Sequence, residues 1–410
     1  MKHNAKKILF ITSGQPSLNP RLVKEADALA DAGYTVTVLY MYWNKWGVAF
    51  DKELIATKKW TAICIGGEPQ HTANQYLASR IIFKVARLVS RKTKGRFMAD
   101  IAAARASYYL IREAKKHTAD LYIGHNLGAL PAVVRAAKAN NRPCGFDAED
   151  FHRYENSNDD NNDEVILKIS IENKYIPQLN YFTTSSLQIA EAYSKIFEDL
   201  KPVVLLNVFP KSNFTVIDND GPLRLFWFSQ TIGPNRGLDD IISALQILNK
   251  ADFELHLLGD ISTSSKDFID ELKNSGVNIK FHAPIPPDEI IPFANQFDIG
   301  LALENKVPVN RDICLTNKIF TYMQAGLAII ASDTTAQRYF IAKNPTIGQI
   351  YTGKDSQAVA VIISNYYKKP ALLTAAKNEA LRLGHEKYNW EVESVKFLKL
   401  VEETLSTSNS

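Results

Sequence analysis

Cysteine is scarce in this chain, with three in 410 residues. Cys64, Cys144 and Cys314 are too scattered for a disulfide framework and show no metal-ligand spacing. That usage points to a reducing compartment, the cytosol. Long apolar runs are missing as well. No stretch reaches about 18 consecutive apolar residues, so no transmembrane helix is expected. The first apolar run, Ile8 to Ile11, stops at Thr12-Ser13-Gly14 without a small-residue cleavage site, and it reads as a strand rather than a secretory leader. There is no Gly-x-x-x-x-Gly-Lys-Ser/Thr, and no Gly-x-Gly-x-x-Gly after the first strand, which argues against nucleoside-triphosphate hydrolysis and NAD chemistry. No His/Cys cluster suits zinc, and no metal site is expected.

Charge of one sign is also limited, at a net +4. Its distribution is uneven. Between His71 and His117, eleven Lys and Arg face only Asp100 and Glu113; between Asp147 and Glu164, eight acids face only Arg153. Such asymmetry marks candidate interaction surfaces.

What is present is ordinary globular composition, 46% hydrophobic and 22% charged. The length suits two or three domains. Two series of short apolar strands alternating with helical segments are separated by a polar break, Lys211 to Pro222. The first series opens with a strand from Lys7 to Thr12, a loop Ser13 to Pro20, and a helix marked by Leu22, Ala26, Leu29 and Ala30. Gly33 stops that helix before a strand at Thr35 to Tyr40. Further strands are expected at Ala62 to Ile65, Leu121 to Gly124, Cys144 to Asp147 and Tyr181 to Thr184, with helices at Tyr76 to Lys92 and Asp100 to Lys116. The second series has strands at Leu223 to Phe228, Phe253 to Leu258, Asn278 to His282, Ile299 to Leu303 and Ala328 to Ser332. Its first helix is marked by Leu238, Ile241, Ile242, Leu245 and Leu248. The pattern predicts an α/β chain of two doubly wound parallel-sheet domains. Ligands in such sheets lie beyond the carboxyl ends of the strands, so functional residues should sit in the loops that follow them.

One segment stands out: Thr316-Asn317-Lys318-Ile319-Phe320-Thr321-Tyr322-Met323-Gln324-Ala325-Gly326-Leu327, then a buried strand. A helix starting near Asn317 would present free N–H groups and the Lys318 charge to a phosphate. The plain alternative is a Thr316 cap with Lys318 in solvent. Through Ser332-Asp333 this segment resembles the donor site of family-4 glycosyltransferases of the GT-B fold. Other stretches agree in order: Asn19-Pro20-Arg21 through Ala32-Gly33-Tyr34-Thr35-Val36, Ala119 to Asn126 with its Asp and His, Leu206-Asn207-Val208-Phe209-Pro210, and Tyr388-Asn389-Trp390-Glu391.

The resemblance implies two Rossmann-like domains facing a central cleft: residues 1–206 for the acceptor, 207–388 for the nucleotide sugar, and a C-terminal helix, 389–410, packed back on the first domain. It implies retaining, metal-independent transfer of a hexosyl group from a nucleotide-diphosphate sugar to a glycan, lipid-linked or other hydroxyl acceptor, with no cofactor. Polysaccharide biosynthesis is the setting that such transfer implies. Arg236 and Lys318 would meet the diphosphate, with His125 near the donor sugar. Gly14, Gln230, Gly233, Asn235, Gly259, Asp312, Asn317 and Thr321 are candidates for donor binding, and Asn19, Glu149 and Asp150 for acceptor binding. Several have plain readings too: His125 as a strand-end His, Gly14 as a turn glycine, Glu149 and Asp150 as caps.

The chain departs from the family at its paired acids. Where the pattern has Glu-x7-Glu, Ile313 and Thr321 stand, leaving Asp312 and Glu304 as candidates for the ribose contact. Gln230 occupies the place of the usual Arg. These changes keep two other readings open, a nucleotide-sugar epimerase and a catalytically silent nucleotide- or glycan-binding relative. Asp218-Asn219-Asp220 matches a metal-binding Asp-x-Asp only superficially, because it precedes a strand.

The basic segment 76–96 carries Leu77, Ile81, Val85, Leu88 and Val89 on one helical face. It could lie on an anionic membrane, making the protein peripheral to the inner face. The commoner arrangement is a core-facing helix with a solvated basic side. Without interleaved aromatics, nucleic acid is not an expected partner.

Overall fold

A computed structural model describes residues 5–217, 219, 221–248, 252–261 and 265–407. Two compact units are present: residues 1–205 with 394–410, and residues 206–393.

Unit 1 is built on β1 (Lys7–Thr12), β2 (Thr35–Met41), β3 (Thr61–Ile65), β4 (Leu121–His125), β5 (Cys144–Ala148), β6 (Tyr181–Thr184) and β7 (Val203–Val204). Their order is β3-β2-β1-β4-β5-β6-β7 and every pairing is parallel. The connections are α1 (Pro20–Asp31), α2 (Lys45–Ala56), α3 (Ala73–Lys92), α4 (Ala99–Ala102), α5 (Ser107–Ala114), α6 (Leu130–Asn140), α7 (Asp163–Tyr175) and α8 (Leu187–Ile196). α1 shows why the first βαβ unit was readable. Asn19 accepts from the Leu22 N–H, Pro20 opens the first turn, and Gly33 at φ +92° takes the left-handed conformation beyond the end. Leu22, Ala26 and Leu29 are fully buried against Ile8, Phe10 and Val36.

Unit 2 contains β8 (Leu223–Thr231), β9 (Phe253–Asp260), β10 (Ile279–His282), β11 (Ile299–Ala302), β12 (Ala328–Ser332) and β13 (Gly348–Tyr351). They lie in the order β10-β9-β8-β11-β12-β13, again all parallel. Its helices are α9 (Leu238–Ile247), α10 (Lys266–Asn274), α11 (Ile290–Ala294), α12 (Val309–Ile313), α13 (Asn317–Ala325), α14 (Thr335–Lys343), α15 (Ser356–Lys368), α16 (Pro370–Glu386) and the start of α17 (Trp390–Thr407). The two faces of the sheet are covered by separate apolar clusters, one around Trp227 and Leu255, the other around Phe226 and Phe320. The polar stretch from Lys211 belongs to this unit. Ser212 donates to the Gln324 carbonyl (2.6 Å) and Asn219 to Asp298 (2.9 Å). Asp218 and Asp220 of the superficial Asp-x-Asp lie outside the described residues. From Ser394 onward α17 belongs to unit 1, where Phe397, Val401 and Leu405 enter the core beside Ile8 and Phe10.

Two helices differ from the sequence pattern. The helix expected over Asp100 to Lys116 is broken into α4 and α5, because the Ser107 hydroxyl accepts from the Ala104 N–H at 2.9 Å in competition with the helical ladder. α3 turns one row of large apolar side chains outward instead of into the core: Leu77, Ile81, Val85 and Leu88 are all more than half exposed, while Ile82, Phe83 and Val89 are half-buried and Ser79, Ala86 and Ser90 are buried.

Gly300 in β11 lies under the Tyr322 ring, and a Cβ there would collide with it. The ring cannot swing freely, since its hydroxyl donates to the Leu301 carbonyl at 3.0 Å. Gly300→Ala should therefore cost about 1–3 kcal/mol of unfolding free energy, measurable by urea denaturation. An unchanged midpoint would show that the packing there yields.

Candidate functional site

The carboxyl end of the unit 2 sheet collects the strongest group of candidates. β8 ends in Ser229-Gln230-Thr231, and the chain turns through Asn235 (φ +60°) and Gly237 (φ +76°) into α9. Gly237 fits because a Cβ would press on the Leu303 side chain at 3.1 Å. Between these two turns Arg236 donates to the Ser229 hydroxyl at 3.2 Å; among the described residues it has no carboxylate partner. The guanidinium keeps most of its donors for a ligand.

The neighbouring strand β11 leads to Glu304-Asn305. Asn305 donates to the Asn235 carbonyl at 2.6 Å, joining the loop of Arg236 to the loop of Glu304. Glu304 is fixed through its own backbone, its N–H donating to the Ser332 hydroxyl (2.8 Å) and its carbonyl accepting from it (2.7 Å). Its carboxylate takes the Lys318 ammonium at 2.6 Å. Lys318 stands in the first turn of α13 and is buried, not solvent-facing. Thr316 caps that helix by accepting from the Lys318 N–H at 3.4 Å, and Gly326 (φ +69°) closes it. Cap and cation are thus both present at one helix start, where sequence alone left them as alternatives.

The other donor candidates divide. Gln230, Asn235 and Asn317 are exposed at the same end of the sheet. Gly259 lies where β9 passes β8, so close that a Cβ would meet the Ser229 carbonyl at 2.5 Å, and a Cβ on Gly233 would meet the Ser265 hydroxyl at 3.1 Å. Asp312 is committed to the start of α14, accepting from the Thr335 N–H (2.9 Å) and hydroxyl (2.6 Å). Thr321 is buried and bonds back to the Asn317 carbonyl at 3.3 Å. Glu304 is engaged by Lys318, so both acids offered for a ribose already hold protein groups. Glu304 was legible as a candidate acid but not as the counter-ion of Lys318, a role that follows from the burial of the ammonium in the structure.

In unit 1 the carboxyl ends of β4 and β5 carry a buried ion cluster. Arg21 donates through Nε and Nη2 to both Asp147 oxygens, 2.7 Å each, and through Nη1 to the Leu205 carbonyl at 2.8 Å. Thr183 adds a bond to Asp147 at 2.6 Å. His125 Nε2 lies 3.0 Å from Glu25, and its Nδ1 lies 3.6 Å from Asp147. All four charged groups are buried. Burial by itself would lower the His125 pKa, but the Glu25 and Asp147 charges outweigh it and hold the imidazole above its ordinary value. Burial would raise Asp147, and Arg21 and His125 reverse that, holding it below the usual range. With His125 protonated, two cations face two carboxylates. Glu25, His125 and Asp147 converge closely enough to ligate a metal, but the guanidinium already spans both Asp147 oxygens, so the donor set fits an ion cluster better than a cation site. His125 therefore ends its strand as expected, with its ring enclosed rather than facing open space.

Around this cluster, Gly14 donates its N–H to the Thr12 hydroxyl at 3.1 Å, and Thr12 in turn donates to Asn126 at 2.7 Å. Asn19 is consumed as the cap of α1, though its buried Nδ2 has no hydrogen-bond partner among the described residues. Burial and the Asp150 charge push Glu149 up to about 7, and burial with the Arg21 charge pushes Lys24 down to about 8. The short turn that follows, His152–Tyr154, starts at Phe151, so neither Glu149 nor Asp150 occupies a capping position.

The cluster makes a pH-dependent prediction. His125 has a folded pKa above its unfolded value of about 6.5. Its stabilisation is complete below that value and is lost as pH rises through the folded pKa. His125→Gln should cost about 3 kcal/mol near pH 6, by leaving the buried Glu25 carboxylate with only the longer 3.7 Å approach of Arg21. The gap from wild type should narrow as pH rises above about 6.5. Urea unfolding across that range reads it, and a pH-independent gap would sink the assignment.

No family model and no curated protein matches the sequence. Solved structures do match in fold. HepE from Anabaena, crystallised with UDP and glucose, superimposes with a TM-score of 0.68 at 15% identity over 97% of this chain and 100% of its own. Sucrose-phosphate synthase from Thermosynechococcus elongatus gives 0.70 at 13%, over 98% and 100%. WaaG, a glycosyltransferase involved in lipopolysaccharide biosynthesis, gives 0.64 at 11%, over 96% and 99%. Two all-parallel Rossmann-like sheets, matched along nearly their whole length by these structures, give this chain the GT-B fold.

Proposed function

We propose that the protein is a glycosyltransferase that moves a hexosyl group from a nucleotide-diphosphate sugar to a hydroxyl of a glycan or lipid-linked acceptor. Retention of configuration, as in family 4, and independence from metal are part of the proposal. The observation that carries it is the joining of the Arg236 loop to the Glu304–Lys318 pair at the start of α13. The structure of HepE with UDP and glucose adds support, because a protein of the same fold holds the leaving group that such a site would take.

The chemistry follows from charge. Breaking the bond between sugar and diphosphate puts negative charge on the departing phosphate, and fixed donors stabilise it without reorganisation. Arg236 supplies a planar fork of N–H groups suited to two phosphate oxygens. The first turn of α13 supplies backbone N–H groups and the positive end of the helix dipole. Lys318 adds a full charge whose position Glu304 sets. With Gln230 where the family has Arg, these groups carry the whole task. Unit 1 would hold the acceptor, with Glu149, poised near neutrality, as a group able to accept a proton from a hydroxyl.

A thermal-shift series with UDP, other nucleoside diphosphates and uridine tests the reading. A diphosphate at 100 times its Kd should stabilise the fold by about 2.7 kcal/mol, a shift of a few degrees. Arg236→Ala, which among the described residues removes only the bond to Ser229 from the protein's own network, should abolish that shift. It should also abolish sugar transfer assayed in the presence of a chelator. A diphosphate shift that survives Arg236→Ala would take Arg236 out of the site.

A further inference from the structure

α3 leaves one of its apolar rows outside the core, while Ile82, Phe83 and Val89 are half-buried. Its small residues Ser79, Ala86 and Ser90 face inward, where the helix meets α4, α5 and α7. Leu77, Ile81, Val85 and Leu88 recur at intervals of four, four and three, which places them on one face. They are 57%, 63%, 51% and 56% exposed. This apolar stripe runs along a helix of 20 residues, about 30 Å long. A soluble surface rarely leaves so regular a row uncovered.

Charge indicates what covers it. From residue 73 to 99 there is no carboxylate, while Arg80, Lys84, Arg87, Arg91, Lys92, Lys94 and Arg96 are all cationic. Among the described residues, only the start of α7 answers them with carboxylates, Glu164 on Arg87 and Asp163 on Arg91. Lys84, Lys92, Lys94 and Arg96 have no carboxylate partner among the described residues. Just past the helix, Phe97 and Met98 are exposed between these cations and the start of α4. At the other end the Tyr42 ring meets Tyr76 edge-on at 5.7 Å, which brings the half-exposed Trp43 alongside.

A second copy of the same face would set cation against cation. A nucleic acid would answer the charge but leave the apolar stripe in water. An anionic bilayer surface answers both, taking apolar side chains at the acyl boundary and ammonium and guanidinium groups among its phosphates. No helix among the described residues is long and apolar enough to cross a membrane, so the contact is with the surface. We infer that α3 and residues 94–98 dock the protein on anionic lipid. Leu77, Ile81, Val85 and Leu88 enter the interface, and Lys84, Lys92, Lys94 and Arg96 pair with headgroups. This inference does not rest on the transferase reading.

Vesicle flotation of the full-length protein tests it, with phosphatidylcholine alone or mixed with phosphatidylglycerol. The protein should float with the mixed vesicles and not with phosphatidylcholine alone, and added salt should weaken the association. Ile81→Ser with Leu88→Ser should reduce partitioning about tenfold or more; Lys84→Glu with Lys92→Glu should abolish the preference for anionic lipid. All four positions are exposed, so the circular dichroism spectrum should not change. Failure to float with anionic vesicles would overturn the inference. So would flotation that both variants leave unchanged, or a solution dimer that the Ile81/Leu88 variant dissociates.

Discussion

A buried ammonium needs a counter-ion, and much of the unit 2 arrangement follows from the one that Lys318 has found. The pair with Glu304 ties the first turn of α13 to the end of β11. Glu304 in turn is clamped by Ser332 at the end of β12, and its neighbour Asn305 holds the loop that carries Arg236. Three strands thus deliver their carboxyl ends to one connected set of charged and polar groups. Without Glu304, Lys318 would be an uncompensated charge beside a helix start that already repels it. With Glu304 in place, the cation is set beforehand where a diphosphate would arrive, which is the condition for stabilising a leaving group at little cost in reorganisation.

Unit 1 solves a similar problem with more partners. Arg21 reaches from the first turn of α1 to Asp147 on β5, and Glu25, one turn further along α1, reaches His125 on β4. The ion cluster therefore sets the position of α1 against two strands, something apolar packing alone would leave less specific. Enclosure of His125 within it gives that residue a structural load, whatever it contributes to chemistry. Burial, more than the field of this cluster, moves the protonation of Glu149 and Lys24: the Asp150 charge adds to it at Glu149 while Arg21 and His125 oppose it, and the Arg21 charge adds to it at Lys24.

Much of the fold was legible because parallel strands buried on both faces read as short apolar runs. Lys7–Thr12, Tyr181–Thr184 and Ala328–Ser332 were found to the residue, and most other strands to within one or two residues. The exceptions have local causes. β7 has only two residues, too few for any period, and β13 opens on Gly348 with little apolar pattern. The split between α4 and α5 depends on where one serine hydroxyl points. The orientation of α3 was obscured because Leu and Ile at helical spacing usually mark the buried side; here the small residues Ser79, Ala86 and Ser90 are the ones that permit close packing. At the candidate site, Arg236, Lys318 and the Thr316 cap could be read from order along the chain. Glu304, and the diversion of Asp312 to Thr335, depend on contacts between residues 14 and 23 positions apart, which no motif records.

The central claim is that unit 2 takes a nucleoside diphosphate by its phosphates, and a crystal structure with UDP tests it most directly. Phosphate oxygens should lie within hydrogen-bond reach of the Arg236 guanidinium and of the N–H groups in the first turn of α13. UDP seated elsewhere, with Arg236 still turned to Ser229 and the start of α13 untouched, would contradict the account.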